Sequence, residues 1–451
     1  MEMQHAVTVE NLQSRSTAGI WKRIWTVQLR LHTITHLFTL LCITLAASIP
    51  RILLANQLDI VTDEVVYIHG GKLYIPLLAH LTTRIGNNDW LYNYEHPPFA
   101  KLLIGLTLWL NSKIGHPLPE LFAARLPSIL FGTLLVMAVY SLGRSPWGRT
   151  IALGAALCLA FSPWLAYFSA LAYLDMTMTA LITVAYLLLW YALRRPWLYP
   201  VSTFLLALGV DSKYTAVLVV PGMILFLAYY FLVLRPRLPI GQRPPVPWLW
   251  WLAAIAAGPL TFLAVDPAIW PHPYARFVHS LNFEWTHSVN GHLTFLAGQY
   301  DLHVPHWAIL YILITKMSAF VTIPAALFVV FALVQQVRAQ LSGTARNIHS
   351  ATSSAFLLCW LLAMLAMFSL LNIVVGTHYH LPLAPPVALA GASGLAMLLR
   401  YRPGTLFQKR QANLPEPQIA VPRRGKLARI NLRSAAMVVM LIGALSIPHL
   451  L

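Results

Sequence analysis

Two adjacent carboxylates, Asp63 and Glu64, stand in the stretch VTDEVVYIHGG, just past an apolar run, in a chain that is only 10% charged. A carboxylate placed beside a hydroxyl can take its proton as the oxygen attacks, which is general base catalysis. Ionisable groups near membrane depth are costly and are usually there for function. The plainer reading is a helix N-terminus with Thr62 as its cap and Tyr67 one turn on. Downstream, YNYEHPPFAK sets Glu95 and His96 before two prolines, which stiffen the chain and end any helix there. In AARLPSILFG, Arg125 can snorkel, bind a phosphate or pair with an acid of the preceding loop. YLDMTMT supplies Asp175. LGVDSKYT supplies Asp211 and Lys213, for which a local ion pair is the simplest expectation. GTHYHLPLAPP supplies His378, Tyr379 and His380, and interfacial anchoring is the plain role of Tyr379. Taken together, these carboxylates, cations and aromatics suit an anionic, lipid-linked substrate meeting a polar acceptor.

The elements that must position these groups are membrane spans. The 451 residues are 58% hydrophobic, and mean hydropathy is +0.66. In lipid the backbone must satisfy its own hydrogen bonds, so spans are helices or a closed barrel. The long unbroken apolar runs select helices and predict an all-α polytopic protein. Eleven spans are expected, at 34–54, 121–143, 149–167, 174–193, 201–211, 214–234, 247–265, 306–334, 353–375, 381–399 and 434–451. Most Lys and Arg then fall on one side, which places the N-terminus inside and the functional residues on the external face of the cytoplasmic membrane.

The chain divides into a basic N-terminal segment (1–33), a transmembrane catalytic domain (34–399), a basic linker (400–433) and a final helix (434–451). Two long external loops are expected, 55–120 and 266–305. Within the first, PPFAKLLIGLTLWL reads as an interfacial helix anchored by Trp109. The second reads as turns carrying histidines. The first span reads as uncleaved, because its apolar core is longer than that of a signal peptide. The net charge of +17 tracks the loops between apolar runs and argues against nucleic acid as a partner; membrane lipids are the expected one. Cys42, Cys158 and Cys359 all sit in apolar runs and build neither a disulfide framework nor a thiolate metal site.

The ordered set DEVVY, EHPP, RLPSILFGTLL, SPWLAYFSALAYLDMTMT, LGVDSKYT and HYHLPLAPP resembles the protein O-mannosyltransferase family and its bacterial relatives, over about residues 55 to 400. The stretch FEWTHSVNGHLTFLAGQY, with YILITKM after it, adds to the likeness. The resemblance implies a GT-C type fold. It also implies inverting transfer of a sugar from a polyprenyl phosphate to a hydroxyl, of protein Ser/Thr or of a lipid. By that resemblance Asp63 is the base and Glu64 its electrostatic partner, with Tyr67, Glu95 and Asp175 supporting. His96, Arg125, Lys213 and His378–Tyr379–His380 are the candidates for the donor phosphate. No metal is required by such a reaction.

The chain departs from the pattern in three places. It lacks the soluble insertion of eukaryotic members, which favours a compact bacterial or archaeal type. Val66 stands where the aminoarabinose transferases, which modify lipid A, carry Arg. The Lys-Thr-Pro of relatives reads TKM, which weakens Lys316. Three rival readings fit less well. A transporter should show broken polar helices at mid-membrane in matching halves, and this sequence does not. A metal site could be drawn from His279, His287, His292 and Glu284 with Glu95, but their spacing matches no closed motif. An oligosaccharyltransferase should carry Asp-x-Asp in the first loop, which is absent.

Overall fold

The structure is a computed structural model that describes residues 33–291, 293–342, 345–370 and 376–400, with the side chains of 287, 288, 342, 345–347 and 400 left out. The 400–433 linker, the 434–451 helix and nearly all of the 1–33 segment lie outside the described residues. The chain divides at Leu45–Ala46, and the unit from Ala46 onward holds all the candidate site residues.

The described chain is almost wholly helical. In order the helices are α1 (Thr33–Gln57), α2 (Thr62–Ala79), α3 (Leu81–Arg84), α4 (Phe99–Lys113), α5 (Glu120–Trp147), α6 (Arg149–Ala160), α7 (Pro163–Ser169), α8 (Leu174–Ala192), α9 (Leu198–Val210), α10 (Val220–Tyr229), α11 (Trp248–Val265), α12 (Pro273–Asn290), α13 (Ala308–Met317), α14 (Ala319–Ser342), α15 (Ala345–Leu370) and α16 (Ala384–Arg400). A two-stranded antiparallel hairpin, β1 (Thr294–Leu296) and β2 (Gln299–Asp301), comes after α12.

Among the described residues eight helices are long and apolar enough to cross a membrane, or nine if α6 and α7 count as one bent span. The protein is therefore a multi-pass membrane protein. The expected eleven spans are not all present as such. The 201–211 run is the short helix α9. The 306–334 run breaks at Ser318, which adopts φ +69° between α13 and α14. The 149–167 run bends by 61° between α6 and α7. Ser162 caps α7 by accepting from the Leu165 amide, and Pro163 occupies its first turn. Together they start a new helix rather than continue the old one.

The break exposes carbonyls that need donors, and buried Arg51 of α1 supplies them. Its guanidinium donates to the Ala160 and Leu159 oxygens at 3.2 and 3.3 Å, and to Ala47 in its own helix at 2.6 Å.

The first long loop is built from α2 and α4, which lie against each other. They cross at Gly71 and Gly105. A Cβ on Gly105 would sit 2.2 Å from the Gly71 oxygen, so the crossing accepts no side chain. Helix α4 is 15 residues long and is not among the candidate spans, and Trp109 is 44% exposed. Tyr67, Ile68, Ile104, Ala123, Ala124 and Ala172 form the apolar cluster beneath the loop.

The second long loop differs from expectation, because much of it is the 18-residue helix α12. Its prolines and glycines gather before Tyr274 and after Asn290, which leaves an uninterrupted stretch between them. Ser280 and Glu284, one turn apart, both turn toward the first loop.

Candidate active site

Helix α2 begins one residue earlier than a Thr62 cap would require. Val61 is the extended cap residue, and Thr62 opens the helix. The Glu64 carboxylate reaches back to accept from the Val61 amide at 3.0 Å, the reciprocal half of a capping box. Glu64 is fully buried and meets Arg125 in a two-pronged pair, Nε to Oε1 at 2.8 Å and Nη2 to Oε2 at 2.7 Å. The Ala172 amide also donates to Oε1, at 2.7 Å.

Arg125 spends its remaining donors on the carbonyls at the end of α1 and beyond it: Ala55 (2.8 Å), Leu58 (2.7 Å) and Asp59 (2.8 Å). Five N–H groups thus make five bonds, and none is left for a phosphate. Arg125 is therefore removed from the phosphate candidates. Its place is to lock the α1–α2 turn against α5 and the segment before α8.

That lock fixes the neighbour of Glu64. Asp63 is half-buried, and the Tyr173 hydroxyl donates to its carboxylate. Burial first, and then the Asp63 charge, pushes the Tyr173 phenol up, so it stays protonated and acts as a donor. The Tyr173 ring meets Tyr67 edge-on at 5.9 Å and His378 edge-on at 5.3 Å. Asp63, Asp175, Lys213 and His96 all lie within electrostatic reach of His378.

Lys213 does not pair with Asp211. The turn after α9 carries its ammonium to Asp175 Oδ1 at 2.7 Å, with both side chains buried. The same nitrogen stands 3.8 Å over the Tyr379 ring. Burial by itself would lower the Lys213 pKa, but Asp175 and then Tyr379 outweigh it, and the net shift is upward. Lys213 is thus held as a cation. Asp175 keeps its second oxygen, Oδ2, without a partner.

Asp211 is enclosed with neither carboxylate oxygen bonded, and burial, then nearby Asp266, pushes it up to about 9. It is a neutral acid behind the site and no partner of a cation.

His96 sits where α12 meets the first loop. Its Nδ1 is 3.5 Å from Glu284 Oε1, and its ring lies 5.9 Å from Tyr67. Glu95 accepts from the Asn93 side chain instead of facing the cluster. His380 is fully enclosed with its ring against Phe368, so of the HYH group only His378 and Tyr379 join the site. Lys316 is exposed in the last turn of α13, with no described contact to the Asp63 cluster.

Among the described residues no group of three or more His, Cys, Asp or Glu side chains could hold a metal ion. The side chains of His287 and His292 lie outside those residues, while His279 stacks on Tyr94 at 4.6 Å.

Three participants escaped the sequence reading: Tyr173, Glu284 as the partner of His96, and Lys101. The last is fully buried in α4. It donates to the carbonyls of Asn93 (2.8 Å) and His96 (2.7 Å), which clamps the Glu95–His96 turn. Burial pushes its pKa down to about 7, against the pull of Glu95 and Asp266. A lysine inside an otherwise apolar helix was the available signal.

The arrangement offers a half-buried carboxylate, a fixed ammonium, two imidazoles and a phenol at one end of a helical bundle. Known proteins place it in context. Residues 95–262 match the family model described as dolichyl-phosphate-mannose-protein mannosyltransferase. No curated protein matches the sequence. Of solved structures, ArnT from Cupriavidus metallidurans bound to undecaprenyl phosphate superposes with a TM-score of 0.50 at 17% identity, over 84% of this chain and 62% of ArnT. Its apo form gives 0.46 at 17% identity, over 85% and 62%. The chain thus spans about 62% of the length of that neighbour. It is a multi-pass membrane protein with the GT-C fold of ArnT, and its residues 95–262 match the model of the dolichyl-phosphate-mannose-protein mannosyltransferase family.

Proposed function

We propose that this protein transfers a sugar, mannose by the family match, from a polyprenyl phosphate to a hydroxyl on the external face of the cytoplasmic membrane, with inversion. Protein Ser/Thr is the acceptor we favour; a lipid or polysaccharide hydroxyl is the second reading, favoured by the likeness to ArnT. The orientation rests on the Lys/Arg bias of the loops, with the N-terminus inside. The observation that carries the reading is the Asp63 carboxylate, held by Tyr173 and flanked by the Lys213–Asp175 and His96–Glu284 pairs.

In one displacement the acceptor oxygen bonds to the sugar carbon and its proton passes to Asp63. The bond from that carbon to the phosphate oxygen breaks, and the phosphate leaves with the electron pair. A hydroxyl is a poor nucleophile until its proton is leaving, which is what a fixed carboxylate supplies. Charge gathers on the leaving phosphate, so cations already in place stabilise the transition state without rearranging. Lys213 is one, and the His96 and His378 rings can each donate an N–H bond beside it. These side chains do that work without a metal.

The test is sugar transfer from radiolabelled polyprenyl-phosphate-mannose in membranes carrying the full chain, wild type beside Asp63→Asn. Loss of a positioned base lowers the rate by about 10²–10⁴-fold. Label in protein assigns the protein acceptor; label only in lipid or polysaccharide moves the assignment there. Undiminished transfer by Asp63→Asn removes the base from the mechanism.

A further inference from the structure

A cavity of about 360 Å³ opens beneath α12, between that helix and the first loop. Trp90, Tyr94 and Tyr214 line it with aromatic rings; Asp266, His279 and Arg276 line it with polar groups. None of Asp63, Tyr67, Tyr173 and Asp175 is in its wall. His96 is, and His96 also touches Tyr67 on the catalytic side. The His96–Glu284 contact is therefore a partition between the cavity and the Asp63 cluster, one side chain coming from each loop. The partition includes an imidazole whose side chain is only 10% exposed, and whose Nδ1 faces Glu284 Oε1 at 3.5 Å, longer than a hydrogen bond.

Most polar groups of the cavity are committed to its architecture. Arg276 donates to the Ala268 carbonyl, and Ser280 donates to the Tyr94 carbonyl. Asp266 accepts from the Ala268 amide through Oδ1, and its carboxylate keeps further lone pairs for hydroxyl donors. Rings with apolar faces, one carboxylate acceptor and an imidazole at the mouth are complementary to a pyranose, which has apolar C–H faces and hydroxyl edges. The volume lies at the small end of ligand pockets, enough for a single ring and too little for a folded peptide.

We propose that this cavity is the subsite for the glycosyl group of the donor, with His96 at the junction between the sugar and its phosphate. The inference rests on the glycosyl-transfer reading and adds where the sugar is recognised. Before transfer the ring sits under α12, stacked on the Trp90 and Tyr94 side, with a hydroxyl donating to Asp266. Its anomeric carbon faces the partition, toward the cluster that contains Asp63.

The experiment is equilibrium binding to the purified full-length protein in nanodiscs. The probes are undecaprenyl phosphate and the same lipid carrying mannose, glucose or 4-amino-4-deoxyarabinose in turn. Wild type is expected to bind one glycosylated lipid at least 10-fold more tightly than the bare phosphate. Ala275→Trp, which fills the cavity from its wall, is expected to remove that preference and leave undecaprenyl phosphate binding unchanged; Ala275→Leu should remove part of it. Retained binding of the bare lipid also shows that the variants are folded. If Ala275→Trp keeps the full preference, the cavity is not the sugar subsite. If wild type binds bare and glycosylated lipids alike, the cavity inference falls and the lipid-phosphate reading stands. If wild type binds neither, the glycosyl-transfer reading falls with it.

Discussion

Glu64→Gln changes one atom in a fully buried pair, and its cost can be worked out from four hydrogen bonds. The carboxylate accepts from Arg125 Nε and the Ala172 amide on Oε1, and from Arg125 Nη2 and the Val61 amide on Oε2. A glutamine can keep its carbonyl in the Oε1 position. Its NH₂ then faces two N–H donors, so two buried hydrogen bonds are lost, at about 1–3 kcal/mol each. The guanidinium is also left as an uncompensated buried charge. Removing one partner of such a pair costs about 3–5 kcal/mol, which agrees with the sum of the lost bonds.

The assay is reversible unfolding of the purified protein in mixed micelles, monitored by tryptophan emission. Arg125→Met should be similarly destabilising, because it orphans Glu64 and three carbonyls. The double variant Glu64→Gln/Arg125→Met should be more stable than the two single effects added together, with a coupling of about 0.5–3 kcal/mol. A Glu64→Gln protein within about 0.5 kcal/mol of wild type, the range of an ordinary surface change, would refute the claim that this pair locks the α1–α2 turn.

Three other outcomes are expected. Gly105→Ala should separate α2 from α4 and lower the melting temperature, since its Cβ would meet the Gly71 backbone; an unchanged melting curve would contradict that crossing. Lys101 has a folded pKa of about 7 against an ordinary 10.5. The unfolded chain therefore holds more protons between those values, and wild-type stability should rise from pH 7 to pH 10 relative to Lys101→Met. The two profiles running parallel would show that Lys101 is not desolvated. Asp266 has the opposite sign. Burial, opposed by the Ala268 amide and then Lys101, pushes it up to about 6 from 3.8. Stability should fall as pH rises from about 4 through 6, and Asp266→Asn should flatten that slope in the same denaturation series.

What the sequence made legible was whatever its one-dimensional pattern controls. Long apolar runs place most spans, and the 15-residue α4 reads as too short for one, which it is. Residue types on the loops mark Asp63, Asp175, Lys213, His96, His378 and Tyr379, and the fold gathers all six. Pairing was not legible, because it depends on which segments the bundle brings together. Glu64 and Arg125 stand 61 positions apart, and Lys213 and Asp175 stand 38 apart. The nearest acid to Lys213 in sequence, Asp211, is turned away from it by the residues after α9. The break at Ser318 is invisible for another reason: it contains neither Gly nor Pro, yet Ser318 adopts a positive φ. Helix α12 was hidden by the histidines and aromatics of a segment whose turn residues lie only at its ends.

The buried Arg51 has a consequence for how the chain enters the membrane. The carbonyls it bonds at the α6 break come 108 and 109 residues later in the sequence. At roughly 5–20 residues per second of synthesis, the first span waits about 5–20 s for them. During that interval its guanidinium has no partner beyond its own helix, and an arginine in a span costs about 2.5–3.5 kcal/mol at the centre of the bilayer, less near an end. The bend between α6 and α7 is thus a docking point that the Arg51 side chain can reach only after those 108 and 109 further residues have been made. One side chain thus joins two segments that are made far apart in time.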